Sequence, residues 1–456
     1  MATGINRQEQ LGEDALTAVL PHRDPYPLPE AACEPVLSYP GRLTTDEILQ
    51  PLASGFATVS ADGALTPSPI IPNSVVLTDN LFGLHQMIAN GTKATLIYLD
   101  PPYNTGLDFQ SRQLEHSYKD SQGVAAYVEY MRRRLVLMRE VLADDGSIYV
   151  HIGHQMVSHL RVVMDEIFGA ANFRNLISRR TCSSKNYTRN RYSNMNDYVL
   201  FYSKTANFKW NQPGEKPPEE WIAKEYNKIG PKGRYKLVPV HAPGTRNGAT
   251  GGLWKGMMPP PGKHWQYLPS KLDEMDANGD IHWSKTGNPR RKVHLTDDKL
   301  VPYTDSWTNF RDAHHQSIEI TGYPTEKNLH MMRMIVGASS DPGDLVLDPF
   351  CGSGTTLRAA EDQGRRWIGF DQSFAAIKAT LKRLRHGSEK MGDYVDRGRT
   401  DDEDDPKVVD LFGAPDGKNK VETKPPSNRA AVNFTFAVDE ELIDPFRNEI
   451  SALAST

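Results

Sequence analysis

Two short segments of this 456-residue chain join residue types able to do chemistry with turns that would expose them. The first is Asp100-Pro101-Pro102-Tyr103-Asn104, directly after the apolar run ATLIYL. Two prolines remove two backbone donors and stiffen the loop. They leave acceptors, the Asp100 carboxylate and the Pro101 carbonyl, with an aromatic ring beside them. An exocyclic amino group, with its two N–H donors, is the complementary partner. Accepting both hydrogens pulls the nitrogen toward tetrahedral geometry and localises its lone pair for attack. Tyr103 can stack on the base that carries the group.

The second segment is Asp348-Pro349-Phe350-Cys351-Gly352-Ser353-Gly354-Thr355-Thr356, after the run LVL. A glycine turn between strand and helix lets a ligand approach the backbone closely. Asp371 ends the next apolar run, RWIGF. An acid about 20 residues beyond such a loop is placed to hydrogen-bond ribose hydroxyls. The spacing is not GxGxxG and no GKS or GKT follows, which excludes a dinucleotide fingerprint and a Walker loop.

The elements around these segments read as a doubly wound α/β fold. Strand-like runs SVVLTD, ATLIYLD and GSIYVHI alternate with helical patterns NLFGLHQMIANG, VAAYVEYMRRRLVLMREVLADDG and HQMVSHLRVVMDEIFG. The rhythm resumes later with EKNLHMMRMIVGASS (helix), DLVLD (strand), TTLRAAEDQG (helix), RWIGFD (strand) and SFAAIKATLKRLRHG (helix). Such alternation predicts a parallel sheet whose ligands sit at the carboxyl ends of its strands. One domain is thus built from two separated stretches. The expected boundaries are an N-terminal arm at 1–72, a first core part at 73–171, an insert at 172–304, a second core part at 305–387 and a charged tail at 388–456. The arm is proline-rich, with one short helix expected near Asp46–Leu52, and the tail is read as flexible.

Charge separates the same regions. The net charge of −4 hides a positive insert. Residues 172–300 carry 23 Lys+Arg and 11 Asp+Glu, a net of +12, leaving −16 for the rest. That asymmetry points to a polyanion-binding segment. Six of the seven tryptophans lie between 210 and 307 and are expected in a small core rather than as stacking platforms. Cys33, Cys182 and Cys351 are far apart, which predicts a reducing cytoplasm and no disulfide framework. No apolar run approaches the roughly 18 residues of a membrane span, and no secretory signal is expected at the N-terminus. His314-His315 lack ligand spacing, and no metal is expected.

DPPYNTG followed by DPFCGSGTT resembles the amino-directed DNA methyltransferases that use S-adenosylmethionine (SAM). The order, with the DPPY motif first, a long variable segment next and the glycine motif last, is similar to their β class. Within it the chain resembles the modification subunits of type III restriction systems and their stand-alone relatives. The likeness covers roughly 74–205 and 305–386, including Thr78–Leu81, NDYVLFYSK and Tyr323-Pro324-Thr325-Glu326-Lys327. It implies a circularly permuted, Rossmann-like methyltransferase sheet with an inserted DNA-recognition region.

The resemblance also implies residue roles. Asp348, Phe350, Gly352, Gly354 and Thr355 would hold the methionine end of SAM, and Asp371 the ribose. Asp79 would sit near the adenine. Thr325 and Lys327 would close the pocket near the SAM carboxylate. Asp100, Pro101, Pro102 and Tyr103 would act on a base flipped from double-stranded DNA. Arg179, Arg180, Lys185, Arg189, Arg191, Arg290, Arg291 and Lys292 would contact DNA. Two departures are visible: Asn328 stands where the family usually has proline, and Asn196-Asp197 where it often has His-Glu.

The expected activity is adenine-N6 methylation in restriction-modification or related defence, with restriction or defence subunits and a second copy of the chain as possible partners. Asp at position 100 looks like the adenine enzymes; cytosine-N4 methylation and a silent DNA-binding subunit are the alternatives. Methylation of an amine or amide in RNA or protein fits less well, since those relatives carry Asn in place of Asp100 and place the glycine motif first. Carbon-5 methylation needs a cysteine nucleophile, and none stands at the DPPY strand end.

Overall fold

A computed structural model describes residues 35–103, 108–110, 116–119, 123–181, 190, 192–310, 327–387 and 432–454. Its centre is an eleven-stranded sheet. In chain order these strands are β1 (Phe56–Val59), β2 (Leu65–Pro67), β3 (Ser74–Leu77), β4 (Ala94–Leu99), β5 (Leu142–Ile152), β6 (Phe173–Arg180), β7 (Asn196–Ser203), β8 (Ser306–Trp307), β9 (Leu345–Asp348), β10 (Arg366–Asp371) and β11 (Thr435–Asp439). Their order across the sheet is β8-β6-β7-β5-β4-β9-β10-β3-β11-β1-β2. The six strands from β5 to β11 in that order are parallel, and β7 runs antiparallel to β5.

Alternation along each strand divides the core into two layers. Ile97 and Leu99 of β4 face helices α1 (Asn80–Ala89), α2 (Val124–Val141) and α3 (Val157–Phe168). Leu96 and Tyr98 face α4 (Leu329–Ser339), α5 (Thr355–Asp362) and α6 (Phe374–His386). A strand side chain points to the opposite face at each step, so a strand buried on both sides reads as one unbroken apolar run. That is the doubly wound architecture expected, with β4 and β9 side by side although the chain leaves the sheet's centre between them.

Three boundaries differ from expectation. Residues 35–72 are not a loose arm. Thr44 and Glu47 form a capping box on Thr45–Ile48, and β1 pairs with β11. Tyr39 donates to Glu129 on α2 at 2.8 Å. The tail is not loose at 432–454 either. β11 lies parallel to β3, and Ile450 and Leu453 of α7 (Arg447–Ala454) enter the second core layer. Finally, β6 and β7, counted in the insert, belong to the large sheet. The insert's own framework is a four-stranded antiparallel sheet of Lys228–Gly230, Gly233–Pro239, Pro289–His294 and Ile281–Trp283. Beside it Val240, Trp254, Trp265, Leu272 and Ile281 make a small separate core. Trp254 and Trp265 meet edge-on there at 5.4 Å, the small-core role expected of them.

Candidate active site

Five adjacent parallel strands deliver a carboxylate to one end of the sheet. Asp100 follows β4, Asp348 closes β9, Asp371 closes β10, Asp79 stands two residues past β3, and Asp439 closes β11. The Asp439 carboxylate accepts from the Thr78 hydroxyl at 3.0 Å, which ties the last of these to the DPPY side of the chain. Crowding and burial both act on this row. Burial raises Asp348 from its ordinary value near 3.8 to about 7, and the charges of Asp100 and Asp371 add to it against hydrogen bonds from Thr356 and the Phe350 amide. Burial likewise raises Asp371 to about 6. Such a site favours a cationic ligand, whose charge would bring the row back toward its ionised form.

The glycine motif takes the form its residues predict. Gly352 and Gly354 both have left-handed φ, 50° and 73°. A Cβ on Gly354 would stand 2.8 Å from Thr380 Cγ2, so conformation and space both require glycine there. Gly354 is the N-cap of α5, whose amide end opens on the same edge. The Asp371 carboxylate accepts from the Gly352 amide at 3.0 Å and the Ser373 amide at 2.8 Å, linking the motif to the next strand. Thr355 is buried and its hydroxyl accepts from Arg383. Phe350 is partly buried against the first core layer, 6.5 Å from the Tyr130 ring.

At the neighbouring strand end, Pro101 is buried, while Asp100, Pro102 and Tyr103 are half-buried. Tyr103 donates to Asp100 Oδ1 at 2.8 Å. Lys327 Nζ lies 3.1 Å from Asp100 Oδ2 and donates to the Tyr103 hydroxyl at 3.2 Å. Lys327 directly precedes Asn328, whose side chain caps α4 by accepting from the amides of His330 and Met331. The departure from proline at 328 thus supplies a helix cap. Thr325, Lys185, Arg189 and Arg191 lie outside the described residues.

Several residues that hold the site are not evident from the motifs. Arg134 of α2, 4% exposed, pairs with Asp79 at 2.7 Å, donates to Asn80 and lies over the Tyr130 ring at 3.6 Å. Asn80 in turn donates to the Pro349 carbonyl at 2.7 Å, joining the start of α1 to the glycine motif. Behind Tyr103 runs a buried chain. His151 Nδ1 is 2.7 Å from the Tyr98 hydroxyl, and its Nε2 is 2.8 Å from Asp197 Oδ2. Burial holds His151 below the ordinary histidine range, against the pull of Asp197. Asp197 stays well below the carboxylate range because His151 and Arg179 outweigh its own burial. The second departure, Asp197, is therefore a structural anion. A histidine inside an otherwise apolar strand run, YVHI, is the one sequence signal that could have pointed to this chain.

The cations expected to meet DNA fall into different settings. Arg179, expected at the DNA, is instead a structural residue: it is fully buried and donates to Asp197 at 2.7 Å and to the Phe310 carbonyl at 2.7 Å. It stands opposite Asp197 in the β6–β7 register, so a neighbouring strand claims its charge. Arg180 is half-buried at the end of β6. In the strand Pro289–His294, alternation splits the basic triplet. Arg290 is exposed, Arg291 is half-buried over the Tyr267 ring, and Lys292 donates to the Gly279 carbonyl at 2.8 Å.

Residues 94–382 match the model of a family described as DNA methylase. The chain is 58% identical over 395 residues to the Type II methyltransferase M.EcaI of Enterobacter cloacae, covering 87% of each chain. It is 28% identical over 339 residues to the StyLTI Mod subunit, a Type III restriction-modification enzyme of Salmonella typhimurium, covering 64% of this chain and 51% of that one. It is 36% identical over 137 residues to the DNA adenine methyltransferase YhdJ of Escherichia coli K12, covering 27% of this chain and 46% of that one.

Proposed function

This chain belongs to the DNA methylase family, and from that premise we propose that it methylates adenine N6 at a specific site in double-stranded DNA, with S-adenosylmethionine as donor. It is a DNA methyltransferase by family. The adenine choice, the residue roles and the cellular setting are the inference. The observation that carries them is the placement of Asp100 and Asp348 at the same end of neighbouring parallel strands.

The residues present fit the cofactor. It is a sulfonium cation with a ribose, and a row of carboxylates with Asp371 among them suits both. Asp348, Phe350, Gly352, Gly354 and Thr355 would hold its methionine end, Asp371 its ribose hydroxyls and Asp79 its adenine side. When bound it supplies a methyl group already activated for transfer. The protein's task is then mostly alignment. Asp100 and the Pro101 carbonyl accept the two amino hydrogens, which aims the nitrogen lone pair at the donor. Tyr103, held by Asp100, Lys327 and the close approach of Gly153, supplies the face on which the flipped base rests. Flipping costs a few kcal/mol, and stacking returns part of it. Cys351 is buried and its thiol is pushed well up by that burial, so it is no ring nucleophile for carbon-5 chemistry.

Adenine is supported by Asp at position 100 and by the name of the E. coli relative. The insert supports DNA contact through its charge, with exposed Arg290 the leading phosphate contact. The restriction-modification name of the Salmonella relative supports the same role here, acting in the cytoplasm, with a restriction subunit or a second copy as partner. Digesting methylated DNA to nucleosides and weighing them tests the reading. N6-methyladenine is expected. N4-methylcytosine would overturn the base and keep the mechanism, and 5-methylcytosine would overturn both.

A further inference from the structure

The acceptor that should take the target amino group is already engaged. Asp100 Oδ1 accepts from Tyr103, and Oδ2 is paired with the Lys327 ammonium at 3.1 Å. The pair is well shielded, with side-chain exposures of 13% for Lys327 and 18% for Asp100. In a shielded site the ammonium is held to the carboxylate by full charge–charge attraction, which a neutral donor lacks. A neutral amino group therefore competes poorly with the ammonium for that oxygen. A second carboxylate does not share that disadvantage. Lysine carries its charge on a flexible four-carbon stem, and here the backbone at its base is held by the Asn328 cap of α4. The ammonium can swing while its root stays fixed.

We propose that Lys327 is a positioning residue shared between two carboxylates: it closes on Asp100 in the ligand-free protein and moves to the cofactor's carboxylate on binding, which uncovers Asp100 for the target amine. This rests on the cofactor reading above and deepens it. Cofactor binding and exposure of the acceptor become one event, so a base that enters first finds Asp100 covered. It also means that Asp100 competes with the cofactor for Lys327.

The competition can be read without any DNA. Calorimetry on the full chain compares S-adenosylhomocysteine, which has the carboxylate, with 5′-methylthioadenosine, which has the same nucleoside and thioether but lacks it. Asp100→Asn releases Lys327 and should tighten S-adenosylhomocysteine about tenfold while leaving methylthioadenosine within about twofold. Lys327→Met should weaken only the carboxylate ligand, also by about tenfold. In the Lys327→Met background, Asp100→Asn should change neither. If Asp100→Asn does not fold, Asp100→Ser is read the same way. No tightening would overturn the proposal. Equal tightening with Lys327 absent would reduce it to a general field effect and overturn it too. If wild type bound neither ligand, the cofactor reading itself would fall, and the proposal with it.

Discussion

The strand-end cleft and the basic insert both carry arginines and lysines beside aromatic rings, yet they use them in opposite ways. In the sheet and the helices packed on it, Arg132, Arg134 and Arg179 are nearly or fully buried, and each is committed. Arg132 pairs with Glu166 and the Leu43 carbonyl, Arg134 with Asp79 and Asn80, and Arg179 with Asp197 and the Phe310 carbonyl. In the insert, pairs such as Lys232–Asp280 and Lys271–Glu274 are largely solvated, and Arg290 is exposed. Solvated pairs are worth about 1 kcal/mol or less and can be traded for phosphates. Removing one partner of a buried pair costs about 3–5 kcal/mol, because a charge is left uncompensated. Charge type alone does not tell a recognition residue from a structural one. Burial and the identity of the partner do.

The sharpest break of this comparison lies at the site. Asp100→Ala should lower the rate of methyl transfer by roughly 10³-fold, on the scale of removing one preorganised polar contact. Retention of near-normal turnover would mean that the acceptor geometry is not what drives transfer. Next, Arg179→Ala should cost about 3–5 kcal/mol of stability in urea unfolding and leave the salt slope of DNA binding unaltered. A changed slope at unchanged stability would return Arg179 to the recognition set.

A smaller effect tests the carboxylate row. The fold keeps Asp348 protonated up to about pH 7, whereas the unfolded chain releases that proton near pH 3.8. Ionising Asp348 therefore costs stability, increasingly as pH rises from about 4 to about 7 and fully above that. Asp348→Asn should gain more stability at pH 8 than at pH 5, by about 3 kcal/mol at 1.36 kcal/mol per pH unit, while weakening S-adenosylmethionine. Equal gains at the two pH values would contradict the raised value. The smallest effect belongs to the insert. Arg290→Ala should lower the log–log salt slope of DNA binding by about 1, with cofactor binding unaltered. An unaltered slope would leave Arg290 a solvated surface residue.

Much of the site was legible because its motifs are local. DPPY and DPFCGSGTT each combine a strand end with the turn that follows it, and turn chemistry depends on neighbours in sequence. The left-handed φ of Gly352 and Gly354 and the strand-end positions of Asp100, Asp348 and Asp371 follow from those few residues. What escaped notice depends on distant partners. His151 becomes part of a network only once β5 and β7 pair, and Arg179 is claimed by Asp197 only across the β6–β7 register. The strand β11 is a five-residue run at the end of a charged stretch, and it finds its place only beside β3 and β1.

By itself, then, the amino-acid sequence determined the α/β alternation, the two strand-end motifs, their order and the charge contrast between core and insert. Each of these is carried by periodicity, turn chemistry or composition, which need no knowledge of which segments meet. Tertiary structure alone decided that β4 and β9 are neighbours, that segments near both ends of the chain complete one sheet, and that Lys327 closes on Asp100. It also decided which cations are buried. Those outcomes turn on non-local strand pairing and on the desolvation of particular charges, and neither quantity exists until the segments have packed.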